Sequence, residues 1–390
     1  MKTPGIVCIG ALRSPMGKFG GGFKKTYAYD LAAPVIRKVL DSVGFSGKEL
    51  DEVLIGHCRQ AGNGPNPART AAVRGGVPTD VPVTTINMAC PSGMKALETA
   101  SMRLVLGSAR FILVGGMESM STMPFLLKDC RWDGFRMGNK QLLDGWADST
   151  DPLINQGMGQ TAENLVDRYK ISREEQDEYA ALSQEKTHQA WESGHFKSEV
   201  IPIETDNSTV EKDETFRYPV NREKLASLPP VFRKGGSVTA GNACAMSDGA
   251  AFMLLTTKDI AQTDGLPIMA ELASFSQTAV DPAYMGEGPA HVIPLLLKEH
   301  SMTIADPDLL EVNEAFAVQV LANERVLKWD RNKLNVHGGA IALGHPTGCT
   351  GVRIVVTLLH ALITYDKEQG LASLCGGGGV TMATLVKRSA

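Results

Sequence analysis

The stretch GHPTGCTG, residues 344–351, decides how the whole chain reads, because its core has a near copy upstream. Residues 90–93 are CPSG and residues 345–348 are HPTG, so a cysteine and a histidine hold the same place before a Pro-small-Gly turn. VPVTTINM precedes the first tetrapeptide, and MKALETASMRLVLGSARFILVGG follows it. NVHGGAIALG precedes the second, and CTGVRIVVTLLHALITYDKEQGLASLCGG follows it. Both stretches run strand, turn, helix, strand, double glycine. Proline is suited to the first turn of a helix, so each tetrapeptide alone reads equally well as a plain helix start. The matching downstream strand and glycine pair favour an internal duplication whose two loops each deliver half of a site. In this register Val114 falls opposite Cys375.

Further out, short apolar runs alternate with helical patterns. GIVCIGA (5–11), EVLIGH (52–57), VPVTTINM (81–88) and FILVGG (111–116) read as strands, and DLAAPVIRKVLDSVG (30–44) reads as a helix. That alternation predicts a layered α/β fold. Residues 120–245 differ, with Trp132, Trp146, many charges and turn-rich pieces such as NQGMGQ and SLPPVFRKGG. Within them Ser172 followed by Glu175 forms a capping-box pattern that opens a helix, and Gly194 stops it. The alternation then returns, with a strand at DLLEV (308–312), a helix from Asn313 in NEAFAVQVLANERVL, and a strand in GLASLCGGGG (370–379). The expected division is an N-terminal half of residues 1–120 plus about 246–270, an inserted loop domain of 121–245, and a C-terminal half of 271–390.

Composition narrows the function classes. Of 390 residues, 43% are hydrophobic and 21% charged, as in a soluble globular protein with a large core. A net charge of −4 with scattered lysines and arginines argues against a nucleic-acid or membrane-surface binder. No uncharged apolar run of about 18 residues is evident. Arg13 and Lys18 break up the N-terminal stretch, which reads as strand and loop rather than signal peptide. The seven cysteines include no CxxC pair, so neither a metal site nor a disulfide framework is expected, and a reducing, cytoplasmic location fits.

Cys90 stands where a helix begins, and Met94, Leu97, Leu104 and Val105 repeat at helical spacing behind it. The positive end of a helix dipole favours thiolate, so a lowered thiol pKa is expected there. Cys8, Cys58, Cys130 and Cys349 read as inert structural thiols. A thiol nucleophile needs a base. Among eight histidines, His345 lies in glycine-rich backbone at the place that mirrors Cys90. Asn313 reads either as a helix N-cap or as a strand-end site residue. Cys375 ends a buried strand before four glycines, whose N–H groups suit an oxyanion.

Together NMACPSGMKAL (87–97), VGGMESMS (114–121), VTAGNACAMSDGAA (238–251), VNEAFA (312–317), NVHGGAIALGHPTGCTG (335–351) and CGGGG (375–379) resemble the thiolase family along essentially the whole chain. The resemblance implies a duplicated five-layered α/β/α/β/α fold with an inserted loop domain. It implies Cys90 as the acylated nucleophile and His345 as its base. Asn313 would hold a water that completes an oxyanion hole with His345, and Cys375 would move the α-proton of acetyl-CoA. The backbone N–H groups of Cys90 and Gly377 would form a second oxyanion hole. Met158, Arg217, Ala240, Cys244, Ala315 and Phe316 would contact coenzyme A or substrate, with no permanently bound cofactor and no metal. Arg217, alternatively, is a surface arginine. The implied activity is CoA-dependent cleavage of 3-ketoacyl-CoA through an acyl-cysteine. The alternatives are a biosynthetic acetoacetyl-CoA thiolase, a ketoacyl synthase-like condensing enzyme (which lacks the second cysteine) and a non-catalytic relative. A homodimer or homotetramer is implied, with Trp132, Phe135 and Trp146 in a contact segment, while a hydratase–dehydrogenase partner is left open. Three departures stand out: His337 where relatives carry the second Asn of NxNGG, Cys244 where they carry serine, and Gly157-Met158-Gly159 where biosynthetic relatives carry HMG. GCTG at 348–351 is nearer the degradative branch.

Overall fold

The computed structural model describes residues 5–389 apart from residues 133 and 207. Nine strands form one continuous sheet: β1 (Ile6–Arg13), β2 (Glu52–Gly56), β3 (Val83–Ile86), β4 (Ile112–Ser119), β5 (Ser247–Thr257), β6 (Ala270–Ala279), β7 (Leu309–Val312), β8 (Gln369–Cys375) and β9 (Val380–Arg388). Their order is β7-β8-β9-β6-β1-β5-β4-β2-β3, and Gly17–Lys18 adds a short strand beside β5. Within the sheet, among the described residues, the two halves pair at Val7–Glu271 and Cys8–Ala270.

Each half has the same wiring. On one side β3, β2 and β4 are parallel, and β5 and β1 follow antiparallel. On the other, Leu334, β7 and β8 are parallel, and β9 and β6 follow antiparallel. Matching hydrogen bonds fix the correspondence. Asp51 Oδ2 accepts from the N–H groups of Arg110 and Phe111, and Asp308 Oδ2 accepts from those of Glu368 and Gln369. Val53 N bonds to Pro82 O just as Leu310 N bonds to Lys333 O. Phe111 therefore corresponds to Gln369, and six residues on, Met117 corresponds to Cys375. The sequence register that set Val114 opposite Cys375 is off by three, because the two glycine pairs are not equivalent: β4 runs on through Gly115 and Gly116 to Ser119, whereas β8 ends before Gly376.

Four helices matter for the site: α1 (Ala28–Ser42), α2 (Ser92–Val105), α3 (Arg173–Glu192) and α4 (Thr347–Thr364). The equivalent helices α2 and α4 lie between the two halves of the sheet, α1 covers the outer face of one half, and Gly288–Glu299 and Ala317–Leu327 cover the other. This gives five layers. Helices α2 and α4 touch backbone to backbone: a Cβ on Gly351 would lie 2.3 Å from Met94 N, and one on Gly93 would lie 2.9 Å from Val352 N. Glycine is required there because no side chain fits. Met94, Leu97 and Leu104 are buried as the pattern predicts, but Val105, near the helix end, is exposed.

By length and composition α4 could cross a membrane, though it is not an uncharged run since it carries Arg353, and it is packed inside the protein. Its apolarity reflects contact with both sheet halves and α2. The insertion carries α3, which starts at the capping box of Ser172 and Glu175, with Gly194 in the left-handed region just past its end.

Candidate active site

The Cys90 turn is held in a demanding shape. Ala89 has φ +52°, a conformation that costs a non-glycine residue roughly 1–2 kcal/mol, so the surroundings must impose it. Ser92, fully buried, does so: its Oγ accepts from Met88 N at 2.9 Å and donates to the Ala89 carbonyl. Pro91 is the N-cap of α2. Against this turn lies the end of β8, where a Cβ on Gly376 would sit 2.5 Å from Pro91 Cδ and 3.3 Å from Cys90 N. The chain can thus bring Cys375 and Gly377 to Cys90 only with glycine at 376. The N–H groups of Gly377 and of Cys90 itself both act on the Cys90 thiol.

The expected lowering of the Cys90 pKa does not occur. Burial, reinforced by the Cys375 thiol, pushes it up to about 12, and those two N–H groups and Arg59 only partly oppose this. Pro91 has no N–H, Ser92 N bonds to Ala89 O, and Lys95 N bonds to Pro91 O. At rest Cys90 is a thiol.

His345 is its complement. Its Nδ1 lies 2.7 Å from Thr350 Oγ1, and that hydroxyl donates to Pro346 O at 3.0 Å. Thr350 must then accept from Nδ1–H, which leaves Nε2 as the bare acceptor. Nε2 is buried and unpartnered. Burial, with the charge of Arg353 behind it, lowers the His345 pKa to about 3 against the opposing pull of Glu118. A neutral imidazole with a bare Nε2 is able to accept a proton from a thiol. Thr350 carries no motif of its own. Its place in the first turn of α4, five residues after His345, is the only sequence signal.

Glu118 at the end of β4 ties the two loops together. It accepts from Thr347 Oγ1 (2.7 Å), Gly348 N (2.9 Å), Cys58 N (3.2 Å) and Arg59 N (3.1 Å), and His57 Nε2 stands 3.1 Å away. Burial works against its ionisation, but His57 and these bonds hold the carboxyl below its usual range.

Asn313 follows β7, and both of its side-chain polar atoms are buried without a partner. The expected helix from Asn313 does not form, and Asn313 is not an N-cap. Residues 313–316 stay extended because they pair with the insertion, Cys244 N to Ala315 O at 3.0 Å and Ala317 N to Asn242 O at 2.8 Å. The helix begins at Ala317. Glu314 anchors the segment by accepting from Tyr179 Oη (2.9 Å), Ser183 Oγ (2.6 Å) and Asn335 Nδ2 (2.8 Å).

Cys375 and Cys244 complete the group. Burial pushes each up to about 12, and the thiols act on one another: Cys90 on Cys244, and Cys244 on Cys375. Cys58, set aside as inert in the sequence, also feels the charge of Cys90.

A cleft of about 350 Å³ is lined by Gln184, Arg217, Lys224, Ala240, Ala243 and Ile341, among others. Arg217 and Ala240 thus stand together. Met158, Cys244, Ala315 and Phe316 do not line it. Cys244 follows the lining residue Ala243 and bonds to Ala315, and Met158 Sδ would be 3.4 Å from a Cβ on Gly377, so these residues lead from the cleft toward the thiols. His337 points elsewhere, into the rings of His195, Phe196 and Tyr365, and burial lowers its pKa to about 4. Its departure from the family pattern does not reach the reacting groups.

A duplicated α/β fold that brings a half-buried thiol, a second thiol and paired N–H donors together, with a neutral imidazole on the mirrored loop, fits acyl transfer through a thiol. Residues 6–259 match the thiolase N-terminal domain and residues 266–388 the thiolase C-terminal domain. The chain belongs to the thiolase family, and it is an acyltransferase. A probable acetyl-CoA acyltransferase of Staphylococcus epidermidis is 47% identical over 98% of each chain. The crystal structure of the Bacillus anthracis acetyl-CoA acetyltransferase superposes with a TM-score of 0.96 at 43% identity over 99% of each chain. Human mitochondrial 3-ketoacyl-CoA thiolase, solved also with CoA, gives 0.96 at 37% identity, the free form covering all of both chains and the complex 99% of this chain and 98% of its own.

Proposed function

We propose that this thiolase runs in the degradative direction, cleaving 3-ketoacyl-CoA with CoA to give acetyl-CoA and a shortened acyl-CoA. The Cys90 proton passes to His345 Nε2 as sulfur attacks the C3 carbonyl. The C2–C3 bond then breaks, and its electron pair stays on C2 of the departing acetyl-CoA. Cys375 gives C2 its proton. A CoA thiol loses its proton to Cys375 and attacks the acyl-Cys90 thioester, which releases acyl-CoA, and the proton held on His345 returns to the Cys90 sulfur. Negative charge on the attacked oxygen meets His345 and an Asn313-held water in one step, and the N–H groups of Cys90 and Gly377 in the other.

The observation that carries this reading is the contact of the Cys375-Gly376-Gly377 segment with the Cys90 turn. A condensing enzyme without a second thiol has no use for it. Arg217 and Lys224 in the cleft suit the phosphates of CoA. A second reading, condensation of two acetyl-CoA molecules, is favoured by the Bacillus anthracis neighbour, an acetyl-CoA acetyltransferase.

Thiolysis of 3-ketoacyl-CoAs from four to sixteen carbons tests the proposal. Cleavage of chains beyond four carbons is expected, and activity confined to the four-carbon substrate would favour the condensing reading. The same preparation is expected to be a homodimer or homotetramer by light scattering, supported by the exposure of Trp132 and Phe135, and a monomer would overturn that part. Its seven free thiols support a cytoplasmic, reducing location, which fractionation of the source cells would check.

A further inference from the structure

One cation beside the thiols is used by none of these steps. Arg59 lies on the loop after β2, next to Cys58. Its backbone N–H is taken by Glu118, but its guanidinium goes elsewhere. One Nη donates to Ser149 Oγ at 2.7 Å, the group stacks 5.3 Å from the Trp146 ring centroid, and Nε is buried with no partner. Among the described residues no carboxylate forms an ion pair with it. Glu118 is occupied by His57, Thr347 and Gly348. A half-buried guanidinium whose Nε–H is buried and unmet is less favourable than one that an acceptor meets.

The place of Arg59 says where that anion comes from. Two residues past Ser149, Asp151 accepts from Gly378 N at 3.0 Å, and the neighbouring Gly377 N–H points at the Cys90 thiol. The segment from 145 to 151 therefore runs as a wall from Arg59 to the glycine loop beside the nucleophile. Among the described residues, neither this segment nor Arg59 lines the cleft of Arg217 and Lys224. The charge of Arg59 reaches both Cys90 and Cys58, where it opposes the effect of burial. An acyl chain on Cys90 would have this wall on its Gly377–Gly378 side.

We propose that Arg59, with Trp146 and Ser149, binds a carboxylate at the far end of the acyl chain, so that the preferred substrates are 3-ketoacyl-CoAs whose acyl group ends in a carboxylate. This rests on the thiolysis reading above and names its substrate class. Guanidinium presents paired N–H donors that match a carboxylate, and the Trp146 face holds its plane in position. A methyl end would desolvate the cation further without pairing it. Sites built around a hydrogen-bonding partner reject analogues that lack it strongly.

The test compares two six-carbon 3-ketoacyl-CoAs, one ending in carboxylate and one in methyl, by kcat/KM for thiolysis. The carboxylate is expected to be favoured by at least about tenfold, mainly through KM. Arg59→Leu is expected to reverse the preference, and Arg59→Lys to retain part of it. Equal rates, a preference for methyl, or a ratio that Arg59→Leu leaves unmoved would overturn the inference while thiolysis itself stands. Cleavage of neither substrate would overturn the parent reading and this one with it. Should Arg59→Leu fail to fold, the wild-type ratio and that of Arg59→Lys decide.

Discussion

Cys90→Ala is expected to abolish acyl-enzyme formation and to lower thiolysis by at least about 10⁴-fold, the scale of removing a nucleophile that acts in concert with its base. Incubation with labelled acetyl-CoA, digestion and mass spectrometry read the result directly. In the wild-type protein the label should sit on Cys90, and in the variant nowhere. Three other thiols, Cys58, Cys244 and Cys375, share the neighbourhood, so the experiment discriminates. Label mainly on one of them would overturn the assignment. The state of the thiol gives an independent check. With its pKa pushed up to about 12 by burial and by Cys375, Cys90 is not a resting thiolate. Alkylation of Cys90 by iodoacetamide should therefore be slow near neutrality and keep rising with pH above 8.5, the ordinary thiol range. A plateau reached at or below neutral pH would mean a preformed thiolate. It would replace the neutral pair by an ion pair in which His345 is already protonated.

Much of this was legible in the sequence because the duplication writes itself twice. CPSG and HPTG mark the same turn before equivalent helices, and Asp51 and Asp308, each at a strand start, cap equivalent backbone pairs. Strands β1, β2, β3, β4, β7 and β8 followed from apolar runs and glycine ends, whereas β5, β6, β9 and the strand order did not. What failed were features set by tertiary contact. The segment after Asn313 has helical composition, yet residues 313–316 are drawn out by pairing with 242–244. Dipole reasoning at Cys90 treated the helix start as open, whereas Pro91 and the Ser92 turn leave few donors and burial outweighs them. Thr350 and Glu118 orient His345 and its loop through single hydroxyl and carboxylate contacts, and no spacing rule points to either. Arg59 was invisible for the same reason. An arginine in a loop reads as solvated until its environment is known.

Cys375→Ala, in contrast to Cys90→Ala, is expected to keep acyl-enzyme formation at Cys90 while losing overall thiolysis and condensation by about 10²–10⁴-fold, the usual cost of removing a general acid–base. The geometry separates the two jobs. Cys375 ends β8 one residue before Gly376, whose closeness to Pro91 and Cys90 N places the second thiol at the nucleophile, but His345 Nε2 stands free to take the Cys90 proton without it. Acylation by acetyl-CoA needs only that transfer and an oxyanion site. Making or breaking the C2–C3 bond also needs a proton moved at C2, and for that Cys375 is the remaining group at hand. Exchange of the α-protons of acetyl-CoA with deuterated water isolates that second job, and it should vanish in Cys375→Ala. The substitution removes one buried sulfur from a residue 1% exposed, a loss of roughly 1–2 kcal/mol in packing, so the fold should survive for the measurement. A structural thiol would behave in the opposite way, with a lower melting temperature and turnover within a few-fold of wild type. Near-normal thiolysis by folded Cys375→Ala would remove the second thiol from the chemistry and with it the main ground for preferring thiolysis over a one-cysteine condensing mechanism.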